Sequence, residues 1–256
     1  ESARLQAMEE RVWKGVDVVY YPADAETTHV QDWLSTHDGR ARAATIPVYA
    51  FDSFPDAPWA NLAQRRDLLF VAGFGHPPNV DAAVWLVREI MPKVWERMPE
   101  ARLSLVGSNP SAEVVALAGD RIEVTGFVSD EELQRRYAAA RVAAAPLRFG
   151  GGMKGKVIEA MRFGLPCVTT SIGKQGLETV GDWLAAEDAP QAFADAVLRL
   201  LEDDAAWLAA AHAAQRHARE NYSADALWRV LGEDVDPRGY PDADARRRRL
   251  RGKRKE

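Results

Sequence analysis

Five short apolar runs, separated by segments with helical spacing, constrain this chain more than any other feature. The runs cover residues 67–72, 102–106, 121–125, 141–145 and 166–170. Each is apolar nearly throughout and rich in Val, Leu, Ile, Ala or Thr, the pattern of parallel strands buried on both faces. Between them, residues 80–97 place Val84, Val87, Ile90, Met91 and Val94 near one helical face, with Met98 just beyond and a kink expected at Pro92. A shorter helix is expected over 111–118. Ser129-Asp-Glu-Glu132 has the form of a capping box opening a helix over 131–140, and Gly164 is a natural stop for a helix over 156–163. Asn79 and Asp81 read as caps of the helix that follows them. The β-α-β-α order predicts an α/β fold, a doubly wound parallel sheet with crossover helices on both faces. Ligands of such sheets bind beyond the carboxyl ends of the strands. Function is therefore expected in loops 73–79, 107–111, 126–129, 146–155 and 171–176.

At 256 residues the chain has room for one full domain and a remainder. From residue 190 the pattern is helical, through Phe193, Val197, Leu198 and Leu201, then 204–220 and 224–231. Upstream, residues 5–15 read as a helix and 17–21 as a strand, too few elements for a second doubly wound domain. The expected division is 1–60 as the end of something larger plus a linker, 61–233 as the ligand-binding domain, and 234–256 as a disordered basic tail.

The net charge of −5 conceals a strong asymmetry. Residues 246–255 contain eight basic side chains and no acidic one, leaving 25 basic against 38 acidic residues elsewhere, a net of −13. An acidic body repels a phosphate backbone, so nucleic acid is not an expected partner. The basic run reads as solvated chain, with contact to an anionic membrane surface as its first functional alternative and nucleic-acid binding through the tail alone as a lesser one. A lone cysteine, Cys167, excludes an internal disulfide and suits a reducing compartment; no Cys/His cluster forms a zinc set. No apolar run is long enough for a membrane span, and the expected location is the cytoplasm, with peripheral contact at the inner face of the membrane.

Chemistry concentrates in one loop, from Pro146 through Arg148, Phe149, the triplet Gly150-Gly151-Gly152, Met153, Lys154, Gly155 and Lys156 to Glu159. A buried strand ends, glycines follow, and a helix begins, which is the arrangement that lets backbone N–H groups and a helix dipole hold an anion. Lys154 and Lys156 add full charges. Glu159 follows Lys156 by nearly one helical turn and so lies near the same face. Three readings stay open on these residues alone. One is a tight turn whose glycines serve packing. Another is a triphosphatase P-loop, which Gly150-x-x-x-x-Gly155-Lys156-Val157 approaches but misses, because Val157 has no hydroxyl for Mg²⁺. The third is a phosphate site of another kind.

The third reading gains from a resemblance across residues 67–178. The pieces occur in order: Phe70-Val-Ala-Gly-Phe-Gly-His-Pro-Pro-Asn-Val-Asp-Ala, Leu105-Val-Gly-Ser-Asn-Pro, Val124-Thr-Gly-Phe-Val-Ser-Asp, the glycine loop through Glu159-Ala-Met, and Gly164-Leu-Pro-Cys-Val-Thr-Thr. This stretch resembles the nucleotide-sugar-binding C-terminal domain, a Rossmann-like half, of retaining GT-B glycosyltransferases of family 4 (group 1). The resemblance implies that Gly151, Gly152 and Met153 hold the donor diphosphate with Lys156 and Arg148. It places Glu159 on the ribose, Phe127 and Val128 beside the base, and Gly75 and His76 as first-loop contacts.

Two departures stand out: Gly151 occupies the position where many members carry a glutamate, and the arginine-lysine pair common after the first strand is absent, leaving His76 as its one cation candidate. The implied reaction is metal-independent transfer of a sugar, with retention, from a UDP- or GDP-sugar to an acceptor glycan or lipid-linked sugar, in cell-surface glycan synthesis and without a cofactor. Residues 1–60, with the strand Asp17-Val-Val-Tyr-Tyr-Pro, resemble the end of the N-terminal domain that holds the acceptor, so little turnover is expected of this chain alone. A noncatalytic nucleotide-sugar-binding module is the alternative within the same resemblance.

Overall fold

The computed structural model describes residues 2–37, 39–177 and 180–235. Of the tail expected over 234–256, Asp234 and Val235 are helical instead, ending the helix Ala224–Val235, and the basic run with its expected membrane contact lies outside the described residues. The chain divides into two compact units, one built from residues 1–53 together with 220–256, the other from 54–219.

In the first unit, α1 (Ser2–Gly15), β1 (Val18–Tyr21), α2 (Asp24–Thr36) and β2 (Arg42–Thr45) form a small parallel β-α-β module, with Val18 in register with Arg42. Its core is Trp13, Val30, Leu34 and Ala41. Trp13 lies edge-on to Trp33 at 5.1 Å and donates its indole N–H to the Tyr21 hydroxyl at 2.9 Å, so the ring's one polar atom is satisfied. The helix Ala224–Val235 belongs to this unit, and its Asp234 accepts from both the Tyr20 hydroxyl and the Arg42 guanidinium.

The second unit runs β3 (Arg66–Val71), α3 (Pro77–Trp85), α4 (Met91–Arg97), β4 (Leu103–Val106), α5 (Ala112–Val115), β5 (Ile122–Gly126), α6 (Asp130–Ala139), β6 (Ala140–Ala145), α7 (Gly155–Arg162), β7 (Cys167–Thr169), β8 (Ala185–Ala186), α8 (Pro190–Glu202) and α9 (Asp204–Tyr222). All five expected strands are present, and every adjacent pair is parallel. The sheet order is β5-β4-β3-β6-β7-β8, which is 3-2-1-4-5-6 by order of appearance and reverses direction between β3 and β6.

Local signals explain most element ends. The Ser129 hydroxyl accepts the Glu132 N–H and caps α6, and the Ser111 hydroxyl does the same for α5 through Val114. Gly164, at φ +58°, closes α7 in a Schellman arrangement: Gly164 N–H reaches Met161 O and Leu165 N–H reaches Ala160 O, each at 3.0 Å.

Three expectations are corrected. The helix foreseen over 80–97 starts at Pro77 and splits into α3 and α4 around a π-helical turn, Leu86–Ile90, because Pro92 has no N–H to continue the ladder. The helix foreseen over 111–118 is only the four residues of α5. Asn79 and Asp81 lie inside α3, whose N-cap is His76, so neither side chain caps it.

One large core cluster packs against the face of the sheet that presents Leu68, Phe70, Leu105 and Val142, and includes Ile90, Met91, Phe193, Val197 and Trp207. Arg65, only 2% exposed, fastens the strand end to its surroundings: its guanidinium donates to Pro58 O, Tyr137 O and Ala140 O and lies 5.3 Å from the Trp207 ring centre. Burial lowers its pKa to about 10, while the carbonyls satisfy its donors.

Candidate functional site

The reversal point of the sheet is where two loops from neighbouring strands diverge, and here they are the loops after β3 and β6. Leu69 is in register with Ala143, so the chain after Val71 and the chain after Ala145 leave the sheet side by side. Their close approach to adjacent loops has steric consequences. Gly107, at φ +149°, faces Ala72 so closely that a Cβ would sit 1.7 Å from the Ala72 carbonyl oxygen. Two buried threonines tie the loop after β7 to that after β6, with Thr169 Oγ1 donating to Ala145 O at 2.8 Å and Thr170 Oγ1 to Leu147 O.

The glycine loop spans this junction. Gly150 and Gly152 hold positive φ of +113° and +73°, and the space around a Cβ at Gly151 or Gly152 is open. Gly150 packs against Pro78 in the first turn of α3. Helix α7 then starts at Gly155 with its N-terminal end at the loop; Val157 N–H turns back to Lys154 O at 3.0 Å, and the N–H groups of Gly155 and Lys156 precede the helical ladder. Lys156, in that first turn, donates Nζ to Asn79 Oδ1 at 2.9 Å, and Asn79 in turn donates Nδ2 to Gly73 O at 2.8 Å. One buried asparagine thus ties the β3 loop to the β6 loop. Burial, then the neighbouring Lys154 charge, pushes the Lys156 ammonium down to about 8.

Lys154 turns the other way, under the loop, and donates to Gly150 O at 3.0 Å, to Gly152 O and to Gln175 Oε1 at 3.4 Å. Arg148 pairs with Asp81 through two nitrogens and lies 5.5 Å from the Trp85 ring centre. Glu159 is half-buried and accepts the Tyr137 hydroxyl at 3.1 Å; Tyr137 stacks on Phe163 with ring centres 4.4 Å apart. Burial raises the Glu159 carboxyl above its ordinary value, and the Tyr137 hydrogen bond partly offsets that.

The predicted site residues therefore fall in three places. Gly151, Gly152, Met153 and Lys156 lie together at the start of α7, with Glu159 on the same helix and Arg148 just before the glycines. Gly75 and His76 are exposed at the start of α3, across from that loop. Phe127 and Val128 follow β5, two strands away, and Phe127 is 80% exposed although aromatic. Val157 is fully buried, so the P-loop position that should reach Mg²⁺ faces the core. Sequence reasoning missed Asn79 and Tyr137, because nothing local marks an asparagine or tyrosine whose partner lies far along the chain. An open cavity of about 720 Å³ lies between α3 and α5 and touches Gly75, and another of about 820 Å³ lies along β8, α8 and α9. Neither contains the glycine loop, whose place at a helix N-terminus beside the Lys156 ammonium makes it the stronger candidate. Among the described residues no cluster of three His, Cys, Asp or Glu side chains forms a metal site, and no helix is long and apolar enough to cross a membrane.

Comparison with known proteins converges on the same region. Residues 65–203 match the family described as glycosyl transferases group 1. An uncharacterized 44.6 kDa protein in the cps region of Klebsiella pneumoniae is 28% identical over 207 residues, 77% of this chain and 50% of that protein. The fold is similar to sucrose-phosphate synthase from Thermosynechococcus elongatus (TM-score 0.66, 21% identity, 91% of this chain and 61% of that one). It is also similar to the pneumococcal O-GlcNAc transferase GtfA in complex with UDP and GlcNAc (TM-score 0.66, 19% identity, 87% and 45%). Anabaena Alr3699/HepE in complex with UDP and glucose is a further neighbour (TM-score 0.61, 17% identity, 86% and 63%). The chain spans about half the length of the curated relative it matches. With the matched residues covering the whole parallel sheet and the glycine loop at its reversal point, the chain belongs to the glycosyl transferases group 1 family.

Proposed function

We propose that this chain is the donor-binding half of a retaining, metal-independent glycosyltransferase of family 4, which takes a sugar from a UDP- or GDP-sugar and passes it to an acceptor hydroxyl. The observation that carries this reading is the glycine loop opening onto α7 at the reversal point of the sheet, with the Lys156 ammonium at its mouth. Fold neighbours captured with UDP support the nucleotide, and a relative encoded in a cps region supports synthesis of a cell-surface glycan.

In this reading the diphosphate lies over Gly151, Gly152 and the start of α7. Lys156 leaves Asn79 to meet it, and Glu159 accepts from the ribose hydroxyls. Phe127 offers an exposed ring to the base. As the glycosidic bond breaks, negative charge grows on the departing β-phosphate, and preorganised donors stabilise it by ~3 kcal/mol each. Arg148 stays with Asp81 until a donor competes for it. The acceptor and the groups that polarise it belong to the N-terminal domain of the longer protein, which works at the cytoplasmic face of a membrane.

Titration calorimetry of the chain with UDP, GDP, ADP and ATP, with and without Mg²⁺, tests the reading. Metal-independent binding of one diphosphate, weakened in Lys156→Ala, is the expected result; tight ATP binding that requires Mg²⁺ would reject it.

A further inference from the structure

We infer that Lys154 is a positioning residue that orients the glycine loop from beneath and makes no contact with the nucleotide. The inference rests on the donor-site reading above. In sequence, Lys154 and Lys156 are two similar cations; the structure separates them. Lys154 is 8% exposed, and its ammonium donates to Gly150 O, Gly152 O and Gln175 Oε1, three acceptors for three hydrogens. Lys156 instead meets one side-chain oxygen at the edge of the loop.

Peptide geometry turns this contact into a consequence for binding. No cis peptide occurs among the described residues, and in a planar trans peptide the N–H points opposite to the C=O. The Gly150 carbonyl faces the buried ammonium, so the N–H of the same peptide, that of Gly151, faces the other side, where Gly151 is exposed. Glycines stand on both sides of that peptide, Gly150 at φ +113° and Gly151 with open space where a Cβ would lie, and would let it flip at little steric cost. A cation beneath the loop selects between the two orientations. It holds the carbonyls inward and presents an N–H donor to an anion outside. The glycines make the loop able to bind phosphate; the lysine makes it do so in one conformation.

Nuclear magnetic resonance on the ¹⁵N-labelled chain separates positioning from direct contact. A protected Lys154 ammonium signal is expected without ligand. Saturating UDP is expected to shift the Gly151 amide and the Lys156 Nζ while leaving the Lys154 Nζ unmoved. Lys154→Met is expected to displace the Gly151 amide resonance in the ligand-free protein and weaken UDP binding about tenfold, the scale of one charge-assisted contact. Lys156→Met is expected to weaken UDP without moving that ligand-free resonance. A missing Lys154 ammonium signal, a Lys154 Nζ that follows UDP as Lys156 does, or a Gly151 amide indifferent to Lys154→Met would each overturn the inference. If Lys154→Met does not fold, Lys154→Arg provides the same resonance comparison, since the larger head group cannot keep all three contacts. Failure of the wild type to bind UDP would count against the donor-site reading, while the ligand-free Gly151 comparison still decides the role of Lys154.

Discussion

Lys156 and Asn79 lie 77 residues apart in sequence and meet at 2.9 Å, joining the first turn of α7 to α3 across the reversal point of the sheet. Asn79 also holds Gly73 O at 2.8 Å, so its amide fixes both the loop it comes from and the cation opposite. A half-buried ammonium with a single neutral side-chain acceptor remains available for a stronger, anionic one. Replacing Asn79 by Asp supplies a competing anion in place. Asn79→Asp is therefore expected to weaken UDP binding about tenfold or more, and Asn79→Ala to weaken it less, as read by calorimetry.

The Lys156 ammonium also predicts a pH profile. With its pKa near 8 against an ordinary 10.5, the ligand-free protein loses this proton as pH rises through about 8. A bound diphosphate favours the charged form, so binding takes up a proton above that point. UDP affinity is expected to be flat below about pH 8 and to fall by up to tenfold per unit above it, until the raised pKa of the complex is reached. Lys156→Met should flatten the profile. The same shift makes the ligand-free fold gain stability between about 8 and 10.5, where the unfolded chain binds the extra proton.

Glu159 should decide between ribose and deoxyribose. Glu159→Gln is expected to erase most of the preference for UDP over 2′-deoxy-UDP, roughly tenfold in the wild type, with little effect on the diphosphate itself. Since burial holds the Glu159 carboxyl above the usual glutamate range, that preference should decline as pH falls through the raised value. Tyr137→Phe removes the hydroxyl that favours the carboxylate and should move this decline to higher pH. Competition binding over pH 4 to 8, a range chosen around the reference value of about 4.3, checks both.

Phe127 provides a control for stability against binding. Its ring is 80% exposed, so Phe127→Ala should leave the urea midpoint within about 0.5 kcal/mol of wild type. Loss of base stacking should weaken UDP binding by about 1–3 kcal/mol. An unchanged affinity would remove Phe127 from the base site.

Two glycines with positive φ should respond differently to alanine. At Gly107 a Cβ would meet the Ala72 carbonyl oxygen at 1.7 Å, and the backbone of the strand end has to move. At Gly152 the space is open, and only the cost of a left-handed alanine remains, about 1–2 kcal/mol. Gly107→Ala is expected to cost more than about 3 kcal/mol in denaturant unfolding, while Gly152→Ala keeps the fold and shows its effect in UDP affinity.

Much of the architecture is legible in the residues alone. Apolar runs of five or six residues mark β3 through β7 to within two residues at each end, since burial on both faces leaves no alternation to misread. Ser129 and Gly164 mark the start of α6 and the end of α7 because caps act over three or four residues. The split between α3 and α4 was signalled by Pro92 but not located by it, and β8, two alanines long, carries no pattern of its own. By itself, then, the sequence determined the order of elements and singled out the glycine loop as the candidate site, because periodicity, caps and glycine conformations are local. Only the tertiary structure decided that β3 and β6 are neighbours, and with that pairing came the contact between Lys156 and Asn79. It also brought Tyr137 to Glu159 and turned Lys154 inward on the carbonyls of its own loop. Those relationships depend on strand pairing and side-chain packing between residues that the chain itself keeps apart, or on which side of a flexible loop is buried.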